Sequence, residues 1–272
     1  MEFRIICLIL TLIAAASASP SSRIVGGTPT TIFEYPFVVS VEYHYPAADL
    51  RVQRCVGSLI SSWHALTAAY CFTDAALNST SIRAGSSTSL VGGTVVSIRE
   101  VILHPDYVEN PRTGDIAIVV LTAPLALTAA INIAYIPPQQ TFIPDGYPVE
   151  IVSWGSEFVD GPQIGSLQKI NSNVVAQAQC EAAYEENENV VIYDQVLCAA
   201  SEGTSVCTGD SGAPLIIGET LIGLSSYFTA CDDSTPDVFT RVDRHTGWIL
   251  EHAVPPNGKN ADASIRIARS VL

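Results

Sequence analysis

Short apolar runs broken by turn residues constrain this chain most. Phe37–Tyr43, Gly57–Ser61, Thr94–Leu103, Ile116–Leu121, Val149–Ser153, Pro214–Ile217 and Leu221–Ser225 are rich in Val and Ile, with Gly, Pro, Asn and Asp between them. Runs of this length and composition read as strands. No sustained helical period appears before residue 240. Ala176–Asn187, dominated by Ala, Gln and Glu, predicts a short helix. Arg244–Ala253, stopped by Pro255-Pro256, predicts a better-defined one. Many short strands with few helices predict an all-β sandwich or barrel. There is no internal repeat; Glu181–Glu188 reads as a solvated face and Pro255–Leu272 as a loose tail.

Charge narrows the function classes. Thirteen basic against 27 acidic residues give a net charge of −14. That argues against non-specific nucleic-acid or anionic-membrane binding, which requires basic patches. Lys169 and Lys259 are the only lysines, so eleven of the cations are arginines. Arg stays charged at pH values where Lys does not, a bias that suits an alkaline milieu.

Residues 1–18 read as a secretory signal peptide. Arg4 precedes the apolar run Ile5–Ala16, and Ala16-Ser17-Ala18 supplies a small-residue cleavage site. The run is too short to span a bilayer, and no later stretch reaches the ~20 apolar residues a span needs. A secreted, extracellular protein is expected. Cys7 leaves with the signal, so six cysteines remain for an oxidising compartment. From spacing alone, six allow fifteen pairings. Asn78-Ser79-Thr80 is a glycosylation sequon. No cluster has zinc spacing and no calcium loop is evident, so no metal and no cofactor is expected.

Four motifs then appear in a fixed order: Arg23-Ile24-Val25-Gly26-Gly27, Thr67-Ala68-Ala69-Tyr70-Cys71, Asp115-Ile116-Ala117-Ile118-Val119 and Gly209-Asp210-Ser211-Gly212-Ala213-Pro214-Leu215. With Tyr35-Pro36-Phe37, Trp154-Gly155 and Gly247-Trp248-Ile249, they resemble the chymotrypsin/trypsin-like serine proteases from Ile24 to about His252. The resemblance implies two packed six-stranded antiparallel β-barrels with a C-terminal helix. It places a short activation propeptide at 19–23, a protease domain at 24–254 and a tail at 255–272. It implies the disulfides Cys55–Cys71, Cys180–Cys198 and Cys207–Cys231. Ser211 would be the nucleophile, Asp115 the carboxylate that orients the base, and Gly209 and Ser211 the donors of the oxyanion hole. Cleavage after Arg23 would free the Ile24 amine to pair with Asp210.

One position departs from the family. Tyr70 stands where the family has the base histidine, and the adjoining Cys71 fixes the register. A serine hydroxyl needs a base to accept its proton, and imidazole, with a pKa near 6.5 and two steerable nitrogens, suits that task. A phenol with pKa ~10 is only ~0.1% ionised at pH 7, and its single polar atom cannot bond Ser211 and Asp115 at opposite ends of a ring. Loss of a triad base costs on the order of 10⁶ in kcat in the subtilisin series. The remaining histidines, His44, His64, His104, His245 and His252, fall outside the motifs and are not expected to substitute.

The specificity pocket departs too. By resemblance Ser205, six residues before the nucleophile, forms its floor; Phe228 and Asp237 replace wall glycines. The Phe ring would fill the mouth, and the Asp could attract a basic side chain. Three readings follow. The first is a secreted non-catalytic or severely impaired protease homologue, a monomer that binds peptides, inhibitors or other proteases. The second is an active secreted endopeptidase, digestive and alkaline in character. The third is an α/β-hydrolase esterase, since Ser211, Asp237 and His245 fall in that order. Only 61 residues follow Ser211 and strand–helix alternation is lacking, which weighs against the third.

Overall fold

The computed structural model describes residues 26–156, 158, 159, 161, 165–256 and 264–272. The expected signal peptide, the propeptide, Arg23 and Ile24 lie outside the described residues. In chain order the strands are β1 (Thr28–Pro29), β2 (Val38–Tyr45), β3 (Leu50–Leu59), β4 (His64–Thr67), β5 (Thr80–Ala84), β6 (Thr94–Leu103), β7 (Ala117–Leu121), β8 (Tyr135–Ile136), β9 (Pro148–Ser153), β10 (Gln168–Val175), β11 (Val196–Ala200), β12 (Pro214–Ile217), β13 (Thr220–Tyr227), β14 (Asp237–Arg241) and β15 (Arg266–Ile267). Helix α1 (Gln177–Ala183) follows β10, and α2 (Val242–His252) follows β14.

Strands β2-β3-β4-β7-β6-β5 close into one six-stranded barrel. Strands β12-β9-β10-β11-β14-β13 form the second, closed by the β12–β13 pairing. Full closure removes the unpaired edges that an open sheet would expose. The apolar runs are continuous because both faces of several strands are buried. Val39, Val41, Val119 and Leu121 fill the first barrel. Their neighbours Val38, Ile118 and Val120 join a larger cluster that includes Ile151, Leu215, Leu224 and Phe239 of the second. With a side-chain period of two, each such strand serves its own barrel and the seam between barrels.

The disulfides Cys55–Cys71, Cys180–Cys198 and Cys207–Cys231 form as the resemblance implied. Both helices depart from the expected bounds. Helix α1 stops at Ala183 because Tyr184 turns inward, 4% exposed, and donates from Oη to the Pro236 carbonyl at 2.6 Å. Helix α2 begins earlier, at Val242. Arg241 Nε donates to Asp243 Oδ1 at 2.8 Å, holding an acidic residue in the first turn, where the helix dipole favours it. The loose tail is corrected at its end. Arg266–Ile267 pairs in parallel with β8, Ala268 N–H bonds the Ile136 carbonyl at 2.9 Å, and Ile265 and Val271 pack on the main core.

Candidate active site at the barrel seam

Each barrel delivers half of the site. The first supplies Tyr70, on the 3-10 turn Ala69–Phe72 after β4, and Asp115, just before β7. The second supplies Ser211, on the turn before β12, and Ser226, in β13. Two backbone bonds fix the Ser211 turn, the first of them across the seam. Val56 N–H of β3 bonds the Ser211 carbonyl at 2.9 Å, and Gly212 N–H bonds the Ser225 carbonyl at 2.7 Å.

Asp115 is 1% exposed. The Tyr70 backbone N–H donates to its Oδ1 at 2.8 Å and Ser226 Oγ donates to its Oδ2 at 2.6 Å. Thr240 Oγ1 donates to its backbone carbonyl at 2.9 Å. Burial pushes the Asp115 carboxyl above its ordinary pKa, while these donors and the nearby Arg112 charge pull the other way. Tyr70 is thus tied to Asp115 through its main chain. Its ring lies under the Arg112 guanidinium, whose carbon is 4.0 Å from the ring centroid. Arg112 Nη1 also donates to the Ser226 carbonyl at 2.6 Å.

Tyr70, Ser211, Gly209, Thr208, Ser226 and Arg112 line one cleft of about 540 Å³, together with Tyr45, Arg54, Tyr227 and Phe228. No histidine lines it. Each histidine is engaged elsewhere. His44 meets Asp49 at 3.0 Å, and His64 Nδ1 meets Ser61 Oγ at 2.7 Å. The His104 and His245 rings lie 4.5 Å apart, and His252 Nδ1 meets the Trp248 carbonyl at 2.9 Å. Among the described residues, Ser211 Oγ bonds neither Tyr70 nor Asp115, and the Gly209 and Ser211 backbone N–H groups have no protein acceptor. Donors of that kind suit an oxyanion.

Asp210, fully buried, accepts from Gly155 N–H at 2.9 Å and from Cys207 N–H at 2.8 Å. Burial pushes its carboxyl up to about 6. Ser205 and Asp237 meet behind the cleft, with Ser205 Oγ 2.9 Å from Asp237 Oδ1 and Val206 N–H 3.1 Å from Oδ2. Neither of the pair lines the cleft; Phe228 does. Asn78 is exposed on the turn Leu77–Ser79. Arg112, Arg54 and Tyr45 belong to no motif and reach the cleft only through the fold, whereas Tyr227 adjoins Phe228 in the sequence.

Asp237 gives a pH prediction. Burial pushes its carboxyl up to about 8, against the Val206 and Ser205 hydrogen bonds. The native state therefore keeps this proton over a range in which an unfolded Asp, pKa near 3.9, has lost it. Its contribution to stability is full below the unfolded pKa and is lost as pH rises through about 8. Asp237→Asn, which cannot ionise, is expected to raise the thermal midpoint relative to the parent progressively from pH 4 to pH 8. A constant difference across that range would refute the assignment.

Comparison with known proteins agrees with this architecture. The family described as Trypsin matches residues 24–249. The chain belongs to the trypsin family. It is 32% identical over 233 residues to Trypsin delta of Drosophila erecta, covering 85% of this chain and 88% of that one. It is also 32% identical over 245 residues to "Trypsin, alkaline C" of Manduca sexta, covering 89% and 94%. Two solved structures described as scabies mite inactivated protease paralogues are similar in fold. S-I1 superposes with a TM-score of 0.73 at 29% identity, covering 83% of this chain and 97% of that one. S-D1 gives 0.74 at 27% identity, covering 84% and 96%.

Proposed function

We propose that this protein is a secreted, non-catalytic or severely impaired member of the trypsin family that binds peptides, inhibitors or other proteases through its cleft. The observation that carries the reading is Tyr70. By resemblance it takes the place that the family gives to the base histidine; its backbone N–H bonds Asp115, and among the described residues no histidine lines the cleft. Ser211 then lacks a group able to accept its proton near neutral pH.

Arg112 adds a second obstacle. By bonding the Ser226 carbonyl it occupies an acceptor at the end of β13 that an extended peptide would need for main-chain pairing. The two structural neighbours described as inactivated protease paralogues support the reading by analogy. Gly209 and Ser211 remain as the oxyanion donors, and Asp210 as the partner for an Ile24 amine freed after Arg23.

Hydrolysis measured from pH 7 to 11, after conversion with trypsin and beside Ser211→Ala, tests the proposal. A flat profile at the Ser211→Ala level is expected. The competing reading, an active alkaline endopeptidase, requires a serine-dependent rise above pH 9, where phenolate becomes abundant.

A further inference from the structure

We infer that the cleft recognises an acidic side chain of a peptide, held by Arg112 with Arg54 in support. This rests on the reading of the cleft as a binding site rather than a catalytic one. The chain carries a net charge of −14, yet among the described residues two arginines and no carboxylate line this cleft. The site is therefore a cationic recess in a protein of net negative charge.

The two guanidiniums are held in place but their donors are not used up. Arg112 lies between aromatic rings, its guanidinium carbon 4.0 Å from the Tyr70 centroid and 5.7 Å from that of Tyr227. Its Nη1 is committed to the Ser226 carbonyl, while its Nε is buried without a hydrogen-bond partner. Arg54 Nη2 donates to the Thr73 carbonyl at 2.7 Å. A guanidinium offers five N–H donors in a rigid fork, so each arginine keeps Nη donors beyond the one bond named.

Among the described residues neither arginine is within ion-pair distance of a carboxylate. Asp115 is the nearby negative charge, and its oxygens already accept from Tyr70 N–H and Ser226 Oγ. Stacking fixes the Arg112 plane before a ligand arrives, which lowers the ordering cost of binding. The Gly209 and Ser211 N–H groups add donors in the same cleft. A lysine or arginine side chain entering the same space meets two like charges.

The test uses the whole protein and N-terminally fluorescent pentapeptides of sequence Ala-Ala-X-Ala-Ala, amidated at the C-terminus, with X as Glu, Gln or Lys. Binding is read by anisotropy. The Glu peptide is expected to bind at least ~10-fold more tightly than the Gln peptide, the scale of a charge-assisted hydrogen bond, with the Lys peptide weakest. Arg112→Met is expected to remove most of the Glu-over-Gln ratio, a ratio that is independent of any main-chain affinity gained by both peptides when the Ser226 carbonyl is freed. Arg54→Met, which leaves the Tyr70 stack intact, is expected to reduce the ratio by less. Equal affinity for Glu and Gln peptides, or a Glu preference that survives Arg112→Met combined with Arg54→Met, overturns the inference. Mass spectrometry of the recovered peptides separates the two readings. Cleavage would defeat the non-catalytic reading and leave the affinity ratio to judge this one.

Discussion

Replacing Tyr70 by histidine is expected to raise hydrolysis of an ester or peptide substrate by about 10²-fold or more over the parent, after cleavage at Arg23. By resemblance to the family, Ser211, Asp115 and the Gly209 and Ser211 N–H groups would supply the remaining parts. The Asp115 carboxylate accepts two short bonds, and carboxylate oxygens offer about four lone-pair sites, so capacity remains to orient an imidazole. Arg112 limits the repair. Its charge over the ring disfavours an imidazolium, and its bond to the Ser226 carbonyl obstructs peptide pairing. Tyr70→His with Arg112→Ala is therefore expected to exceed Tyr70→His alone. The gain should be larger for a peptide than for a small ester, because only the peptide needs the Ser226 carbonyl. Initial rates against Ser211→Ala check both expectations. If both repaired proteins stay at the Ser211→Ala level, the missing base is not what silences the site.

The second large effect concerns stability. Gly212→Ala is expected to cost about 3 kcal/mol, combining a left-handed backbone penalty with overpacking. The Gly212 φ is +78°, and a Cβ there would overlap Thr67 Oγ1 and the Val56 carbonyl of the first barrel. Neither neighbour can give way cheaply, since Thr67 Oγ1 donates to that same carbonyl at 2.6 Å. For a domain of this size the thermal midpoint should fall by about 6–12 °C. Gly146→Ala isolates the backbone share. Its φ is +71° and no atom lies within 4 Å of the added Cβ, so only about 1–2 kcal/mol should be lost. Equal losses at the two positions would show that contact across the seam contributes nothing.

Much of this was legible in the sequence because closely packed turns leave fixed residue patterns. Gly-Asp-Ser-Gly around Ser211 is such a pattern. Asp210 folds back onto Gly155 N–H, and Gly212 has no room for a side chain. The apolar strands were legible for a related reason, since two buried faces leave few polar interruptions. Strand β10 was not. Gln168 and Ser172 are buried on it beside Ile170 and Val174, so its inward face carries no apolar period. Strand β15 is two residues long, too short for any period. Arg112 was illegible for a different reason. It lies on the connection before β7, and only closure of the first barrel brings it over Tyr70. Ser205 and Asp237 lie 32 residues apart, and neither their hydrogen bond nor their absence from the cleft lining could be read from spacing.

The central claim is that Ser211 is not activated, and reaction with a fluorophosphonate tests it most directly. The protein is treated with trypsin, Ile24 is verified as the new N-terminus by sequencing, and the probe is added at pH 8 beside Ser211→Ala and Tyr70→His. Parent and Ser211→Ala are expected to label equally slowly while Tyr70→His labels faster at Ser211. Rapid, stoichiometric labelling of Ser211 in the parent would contradict it.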